Sequence, residues 1–472
     1  MITKLKPFDH QLQAYDWAQG REYGALFCEM GTGKTKIVLD IIQNSQTNGA
    51  LIAAPNGLHL NWDKIEIPRH VDVGVNVYCW RGRPTTQKAK KEIERFFERA
   101  QSANELHFFL INIEAIRTTA GMEWCKKFQE AIGHHHLVID ESTCIKTPRA
   151  QVTKAAMELA KNADYRWILN GTPITQGPLD LFSQCKFLSK DSIPYSSFTA
   201  FKNTFAEEQV ITMQNRSFRK IVGYKNLPRL TLEVDPFSLR LQKEDCLDLP
   251  EKTFVTQHVE MSTQQVKAYA EMKNLCMAQL ESGEIASVTV ALTKLLRLHQ
   301  ITTGFFKDDE GNITPLPNNR ITALLGIAES CPKLVIFCAY RENVSQVTKA
   351  LADMFGDKSI VTYYGDTTSD QRTSAVEGFQ NDEEVRFFVG TSAAAKGLTL
   401  TAASTMVYFS CNYSLETRLQ SQDRIHRIGQ TNKCTYIDLV TEGTVDTAIL
   451  QALHDKKDLA GSVLDDLTPL FR

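Results

Sequence analysis

A short apolar run, Ala25-Leu26-Phe27, leads directly into Cys28-Glu29-Met30-Gly31-Thr32-Gly33-Lys34-Thr35, and an apolar helical pattern, Lys36–Ile42, follows at once. This strand–glycine loop–helix order constrains the fold more than any other part of the chain. Backbone N–H groups can converge on phosphate oxygens only where side chains do not block the approach, and Gly31 and Gly33 meet that need. Lys34 would reach the β- and γ-phosphates, and the Thr35 hydroxyl would bind Mg²⁺. The helix that follows would aim its positive end at the same anions. A glycine five residues before Gly33 is usual in such loops, and Cys28 stands there instead.

A partner for this loop lies downstream. Leu137-Val138-Ile139 reads as a buried strand that ends in Asp140-Glu141. Asp140 would hold Mg²⁺ through water, and Glu141 would polarise the attacking water. His134-His135-His136 precedes the strand. Neighbours in an extended segment alternate sides, so the three imidazoles cannot face one metal, and a loop leading into the strand is expected.

Composition narrows the class. The chain has 472 residues, 43% hydrophobic and 23% charged, which suits a globular protein of two to four domains. A net charge of −2 excludes a protein that coats nucleic acid by bulk charge, though not a local basic groove. A basic stretch at Asn215–Lys220, followed by Lys225 and Arg229, reads equally as a local nucleic-acid groove or a solvated face. The eleven cysteines include no Cys-x-x-Cys pair, so neither a zinc ribbon nor a disulfide framework is expected. The N-terminal residues lack the apolar core of a signal peptide, and no run reaches membrane-spanning length. An intracellular location is expected, cytoplasmic in a bacterial or viral host and nuclear in a eukaryote.

Short apolar strands alternate with amphipathic helices, which predicts parallel α/β sheets. Leu51–Ala54, Phe108–Ile111 and Trp167–Leu169 join the two strands above in a first lobe, residues 1–236. Leu334–Phe337, Ser359–Tyr363, Arg386–Val389 and Met406–Phe409 supply a second, residues 237–472. Each lobe carries an insertion read as helical, at about 185–230 without clean strands, and at about 260–330. Asp308–Asn312 reads as an exposed turn.

At this point the order of motifs along nearly the whole chain resembles the Swi/Snf-like branch of the superfamily-two helicase-type ATPases. Phe8–Trp17 resembles its adenine-side motif, with Gln11 as the glutamine. Glu29–Thr35 resembles its phosphate loop, and in this branch the position of Cys28 is not normally glycine. Ala54–Trp62 resembles the DNA-contacting motif of the first lobe, which carries over to Asn61 and Trp62. Leu169–Gln176 resembles the motif that couples nucleotide state to lobe movement, through Gly171 and Thr172. Leu239–Asp245 with Leu249–Lys252, and Lys294–Gln300, are similar to inter-lobe and branch signatures. In the second half, Tyr364-Gly365-Asp366 with Arg372, and Gly390-Thr391-Ser392 with Lys396–Ala403, resemble later motifs; Thr391, Ser392 and Lys396 would touch DNA. Gln420–Gln430 is the most specific match.

The resemblance implies two RecA-like lobes with ATP bound between them, Mg²⁺ as cofactor and double-stranded DNA as partner. Gln420 would contribute to the nucleotide site, and Arg424 and Arg427 would act as arginine fingers on the γ-phosphate. It implies translocation on duplex DNA without routine strand separation. Departures from the pattern are Ser142-Thr143 after the two acids, Ala394 and Ala395 in place of glycines, Thr399 in place of asparagine, and Tyr413-Ser414 before the last motif. An RNA or single-strand helicase, a non-catalytic DNA clamp on a motor fold, and a motor subunit whose partner chain carries a nuclease stay open as alternatives, as does the oligomeric state.

Overall fold

The computed structural model describes residues 1–100, 105–213, 216–281, 288–308, 310–395 and 397–465. Apolar runs long enough for a strand and too short for a helix set its framework, because a strand buried on both faces needs no alternation. The first six are β1 (Tyr23–Cys28), β2 (Gly49–Ala54), β3 (Val75–Cys79), β4 (Leu106–Asn112), β5 (His135–Asp140) and β6 (Tyr165–Leu169). A hairpin follows, β7 (Ala206–Met213) and β8 (Arg216–Tyr224), and then β9 (Ser238–Leu241). Further strands are β10 (Lys252–His258), β11 (Phe305–Lys307), β12 (Ile313–Pro315), β13 (Leu334–Phe337), β14 (Ile360–Tyr363), β15 (Phe387–Gly390), β16 (Thr405–Tyr408) and β17 (Cys434–Val440).

The chain divides into two compact units, one of Met1–Leu247 with the C-terminal stretch from Lys456, the other of Asp248–Asp455. In the first, seven strands lie in the order β3-β4-β2-β5-β6-β1-β9, all neighbours parallel. In the second, six parallel strands follow the order β10-β17-β16-β13-β15-β14. The fold is therefore α/β with two parallel-sheet lobes, as the alternation of strands and helices requires. The first core packs Leu26, Ile37, Ile52, Leu110, Val138 and Trp167 between sheet and helices. In the second lobe, Val335, Phe388, Met406 and Tyr436 pack on one side and Ile336, Val389, Val407 and Leu324 on the other.

The segment read as strand-free holds the β7–β8 hairpin. Its strands pair antiparallel with each other and belong to neither large sheet, so the long buried apolar run that marks the sheet strands is missing. Asn215 lies outside the described residues. Arg219 and Arg229 approach Glu208 and Glu233, at 3.7 and 2.8 Å, so part of the basic stretch around them is paired.

The histidines also sit differently from expectation. His135 and His136 are the first two residues of β5, both buried, and only His134 precedes the strand. The Trp167 indole donates to His136 Nδ1 at 3.0 Å, which places the ring proton on Nε2 facing Ser45 Oγ, 2.9 Å away. Burial lowers the His136 pKa to about 3, so the ring stays neutral. No cluster of three or more His, Cys, Asp or Glu side chains placed to hold a metal ion occurs among the described residues, and no described helix is long and apolar enough to cross a membrane.

Candidate functional site

All strands of the first sheet run the same way, so the segments that leave β1, β2, β3, β4, β5 and β6 emerge along one edge. Open parallel sheets place their ligand-binding groups at that edge.

The loop after β1 depends on two left-handed glycines, Gly31 at φ 89° and Gly33 at φ 91°. Gly33 is also the cap of the helix Lys34–Gln43. A Cβ on Gly33 would stand 2.1 Å from Gln11 Nε2, so this position is closed to a side chain twice over. Gln11 and His10 both bond the Thr32 carbonyl, at 3.1 and 2.8 Å. They fasten the helix Asp9–Ala18 to the loop. At the loop's start, the Glu29 carboxylate accepts from the Lys243 N–H at 2.9 Å, and the Glu29 N–H donates to the Leu241 carbonyl at 2.9 Å. Edge strand β9 therefore supports the loop. Lys34 Nζ donates to the Cys28 carbonyl at 2.8 Å. Burial pushes the Cys28 thiol up to about 12, so it acts as a small apolar side chain there.

Asp140 ends β5, and both it and Glu141 are buried. Desolvation raises the Asp140 pKa; the bond from Trp62, the charge of Lys34 and the Glu141 N–H each draw it back. Trp62 Nε1 donates to Asp140 Oδ2 at 3.0 Å, and the Glu141 N–H to Oδ1 at 3.0 Å. Trp62 is 1% exposed. It faces the carboxylate from within the core, which differs from the DNA contact expected of it; Asn61, beside it, is partly exposed and bonds Glu66 at 3.2 Å. Glu141 adopts φ 53°, ψ 61°, a left-handed backbone unusual for a side-chain-bearing residue. Strain of this sort persists where surrounding structure enforces it, and it concentrates at functional positions.

The segment after β6 closes on both elements. A Cβ on Gly171 would lie 3.2 Å from the Met30 nitrogen and 3.4 Å from Lys34 Nζ. Ser142, one of the departures from the family pattern, donates to Gln184 Oε1 at 2.5 Å and accepts from Asn170 Nδ2 at 3.4 Å. Asn170 Oδ1 accepts the Thr172 N–H at 2.7 Å. A chain of polar contacts thus runs from the residue after Glu141 to Gly171-Thr172. His10, Ser142 and Gln184 were not singled out from sequence as site residues; proximity to Gln11 and Glu141 was the only available signal for the first two.

The second unit assembles its own group. Thr391 follows β15, its N–H bonded to the Tyr363 carbonyl at 3.2 Å, and Ser392 is exposed. Lys396 lies outside the described residues. Ala394 and Ala395, where glycines were expected, are fully buried in the core. Gln420 is 1% exposed on the helix Leu415–Gln422 and donates to Glu416 at 3.1 Å. Arg424 and Arg427 both donate to the Leu398 carbonyl, at 3.0 and 2.9 Å. Below them, Arg418 clasps both Asp438 oxygens at 2.6 Å and lies 3.5 Å over the Tyr408 ring.

Comparison with known proteins is consistent with this geometry. The SNF2-related domain family matches residues 10–304, and the helicase conserved C-terminal domain matches residues 318–429. An uncharacterized ATP-dependent helicase of Mycoplasma genitalium is 25% identical over all of this chain and 43% of its own length. The transcription regulatory protein SNF2 of Saccharomyces cerevisiae is 25% identical over 97% of this chain and 28% of its own. The chain therefore spans less than half the length of these relatives. A solved structure of the Sulfolobus solfataricus SWI2/SNF2 ATPase core in complex with dsDNA is 21% identical, covers 98% of this chain and 94% of that one, and superposes with a TM-score of 0.40.

Proposed function

We propose, starting from the fact that this chain belongs to the SNF2-related family, that it is an ATP-hydrolysing motor that moves on double-stranded DNA. One observation carries the reading. The glycine loop with Lys34, the Asp140-Glu141 pair and Gly171 stand at one edge of a single parallel sheet, with Gly171 close against Met30 and Lys34 and the Lys34 charge acting on Asp140.

The donor set suits a magnesium nucleotide. A glycine loop leaves backbone N–H groups accessible to phosphate oxygens, and a buried carboxylate whose proton affinity is raised gains from a divalent cation beside it. Thr35 and Asp140 would hold Mg²⁺, which supplies charge neutralisation at the phosphates. Lys34 exchanges its Cys28 carbonyl partner for phosphate oxygens. Glu141 orients the attacking water, its carboxylate placed by the enforced left-handed backbone. Gln11 and Glu29 hold the loop's shape, and Gln420 belongs to the nucleotide site in the same reading. Arg424 and Arg427 are assigned the charge that develops on the transferring phosphoryl group, a role worth about 10³–10⁵ in turnover. Gly171 and Thr172 sense the state of the loop through Met30, Lys34 and Asn170. Asn61, Thr391, Ser392 and Lys396 are assigned to the DNA track.

The test is a turnover assay on the purified chain with duplex DNA, single strands and RNA in separate arms. Duplex DNA is expected to stimulate most, and Lys34→Ala and Glu141→Gln to abolish hydrolysis while the fold persists. Full turnover in either variant overturns the active-site assignment. Stimulation by RNA or single strands alone overturns the choice of substrate.

A further inference from the structure

The helix Leu415–Gln422 inverts the usual arrangement of a helix lying on a sheet. It buries Arg418, while Leu419, the next residue, is only partly buried. An amphipathic helix ordinarily turns its apolar stripe to the core and its charges to water. Here Arg418, Ser421 and Gln422, three and four residues apart, share one face, and all three are buried.

Each of them is fastened to a strand of the second sheet. The Arg418 guanidinium donates to both Asp438 oxygens at 2.6 Å, from Nη1 and Nη2, and lies 3.5 Å over the Tyr408 ring. The Ser421 and Tyr408 hydroxyls are 2.6 Å apart. The Tyr436 hydroxyl donates to the Gln422 carbonyl at 2.8 Å. Tyr408 belongs to β16, and Tyr436 and Asp438 belong to β17.

Stability does not account for these anchors. A buried ion pair holds a fold no better than two well-packed apolar side chains of similar volume, because both charges lose their hydration. What the forked contact adds is geometry. Two parallel N–H···O bonds fix both distance and angle between helix and strand, where an apolar contact tolerates sliding. The helix has eight residues and is about 12 Å long. A helix this short depends on its contacts for its place.

The chain beyond the helix shows what that placement serves. The Arg424 N–H donates to the Ser421 carbonyl at 3.0 Å, and Arg424 Nε donates to the Gln420 carbonyl at 2.8 Å. The His426 N–H donates to the Gln422 carbonyl at 3.3 Å. The segment that carries Arg424 and Arg427 therefore hangs on Ser421 and Gln422, the two residues that the tyrosines hold.

We propose that Arg418, clasped to Asp438 over the Tyr408 ring, is a positioning residue for Arg424 and Arg427, setting the axial placement of the short helix that delivers them. The inference rests on the reading above that gives those arginines the charge on the transferring phosphoryl group. A shift of the helix along its axis carries both guanidinium groups with it. Small errors in placing a reacting group are costly to turnover.

The experiment measures kcat, KM for ATP and the thermal midpoint of the whole chain. Arg418→Met with Asp438→Leu removes the clasp and strands no charge. Arg418→Lys keeps the charge and removes the fork. The apolar pair is expected to match or exceed the parent midpoint, to keep KM within about twofold, and to lower kcat at least about tenfold. Arg418→Lys should keep KM and lower kcat by a smaller factor. Parent kcat in the folded apolar pair overturns the inference, and so does a loss confined to KM or one matched by a fall in midpoint. If the apolar pair does not fold, Arg418→Lys decides alone, and parent kcat there overturns the inference. Arg424→Ala and Arg427→Ala are measured alongside. Parent turnover in both overturns the assignment of the arginines and this inference with it. Loss of turnover in them, with parent kcat in the clasp variants, overturns this inference alone.

Discussion

Trp62 and Asp140 are joined by an indole-to-carboxylate hydrogen bond of 3.0 Å, although 78 residues separate them. The bond stabilises the charged form of a carboxylate that burial otherwise penalises. Trp62→Phe keeps the ring and removes the donor. Turnover is expected to fall roughly tenfold, equivalent to about 1.4 kcal/mol, and the acid limb of the pH–rate profile to move to higher pH. A profile unchanged in position would separate Trp62 from the carboxylate's titration.

Asp140 itself should cost stability. Its pKa in the folded chain is raised above the unfolded value. The contribution of such a group is therefore fully favourable below the unfolded pKa and is lost as pH rises through the folded pKa. At neutral pH the ionised carboxylate opposes folding. Asp140→Asn is expected to raise the thermal midpoint at pH 7 while hydrolysis is lost, and the gap from the parent should close as pH falls. Melting curves at several pH values check both the sign and the trend.

Gly33 is constrained by its left-handed backbone and by Gln11. Gly33→Ala should destabilise by about 1–2 kcal/mol from the backbone alone, with a further cost for moving Gln11. Combining it with Gln11→Ala is expected to recover the second part only. Denaturant titration of the two single variants and the double variant separates the contributions.

Gly171 approaches Met30 and Lys34 with no room to spare. Gly171→Ala should leave overall stability nearly unchanged while turnover falls roughly 10- to 100-fold, because small displacements of a reacting group are expensive. The measurement is kcat beside a melting curve; equal losses in both would mark a packing defect instead.

In the second unit, Arg320 is 2% exposed and pairs with Asp446, while the Phe409 carbonyl and Thr441 Oγ1 accept from its Nη1 and Nη2 and its buried Nε–H has no partner. Arg320→Met strands the buried aspartate and should destabilise by about 3–5 kcal/mol. Arg320→Met with Asp446→Leu should recover most of that loss. Urea titration of the whole chain gives the comparison.

These relationships differ in how far the sequence discloses them. Strands β1, β2, β4, β5, β6, β13, β15 and β16 were legible because burial on both faces produces unbroken apolar runs, and β14, a half-buried edge strand, because of its β-branched and aromatic residues Ile360–Tyr363. β10 was not, since it is an edge strand with nearly every position exposed. β17 interleaves Asp438 with its apolar residues, and that aspartate is needed by Arg418. The hairpin β7–β8 pairs only with itself, so no sheet-length apolar pattern marks it. At the site, Lys34, Asp140 and Glu141 follow from local spacing, because glycines and acids must occupy fixed offsets. The Trp62 bond and the Ser142–Asn170 link do not. They join distant segments by side-chain direction, which no periodicity encodes.

The carbonyl of Leu398 receives both Arg424 and Arg427. A carbonyl oxygen has two lone pairs, so it remains satisfied when one donor departs. Either guanidinium can therefore be withdrawn toward another anion while the second stays docked. The first departure leaves no bare acceptor behind, and only the loss of both would.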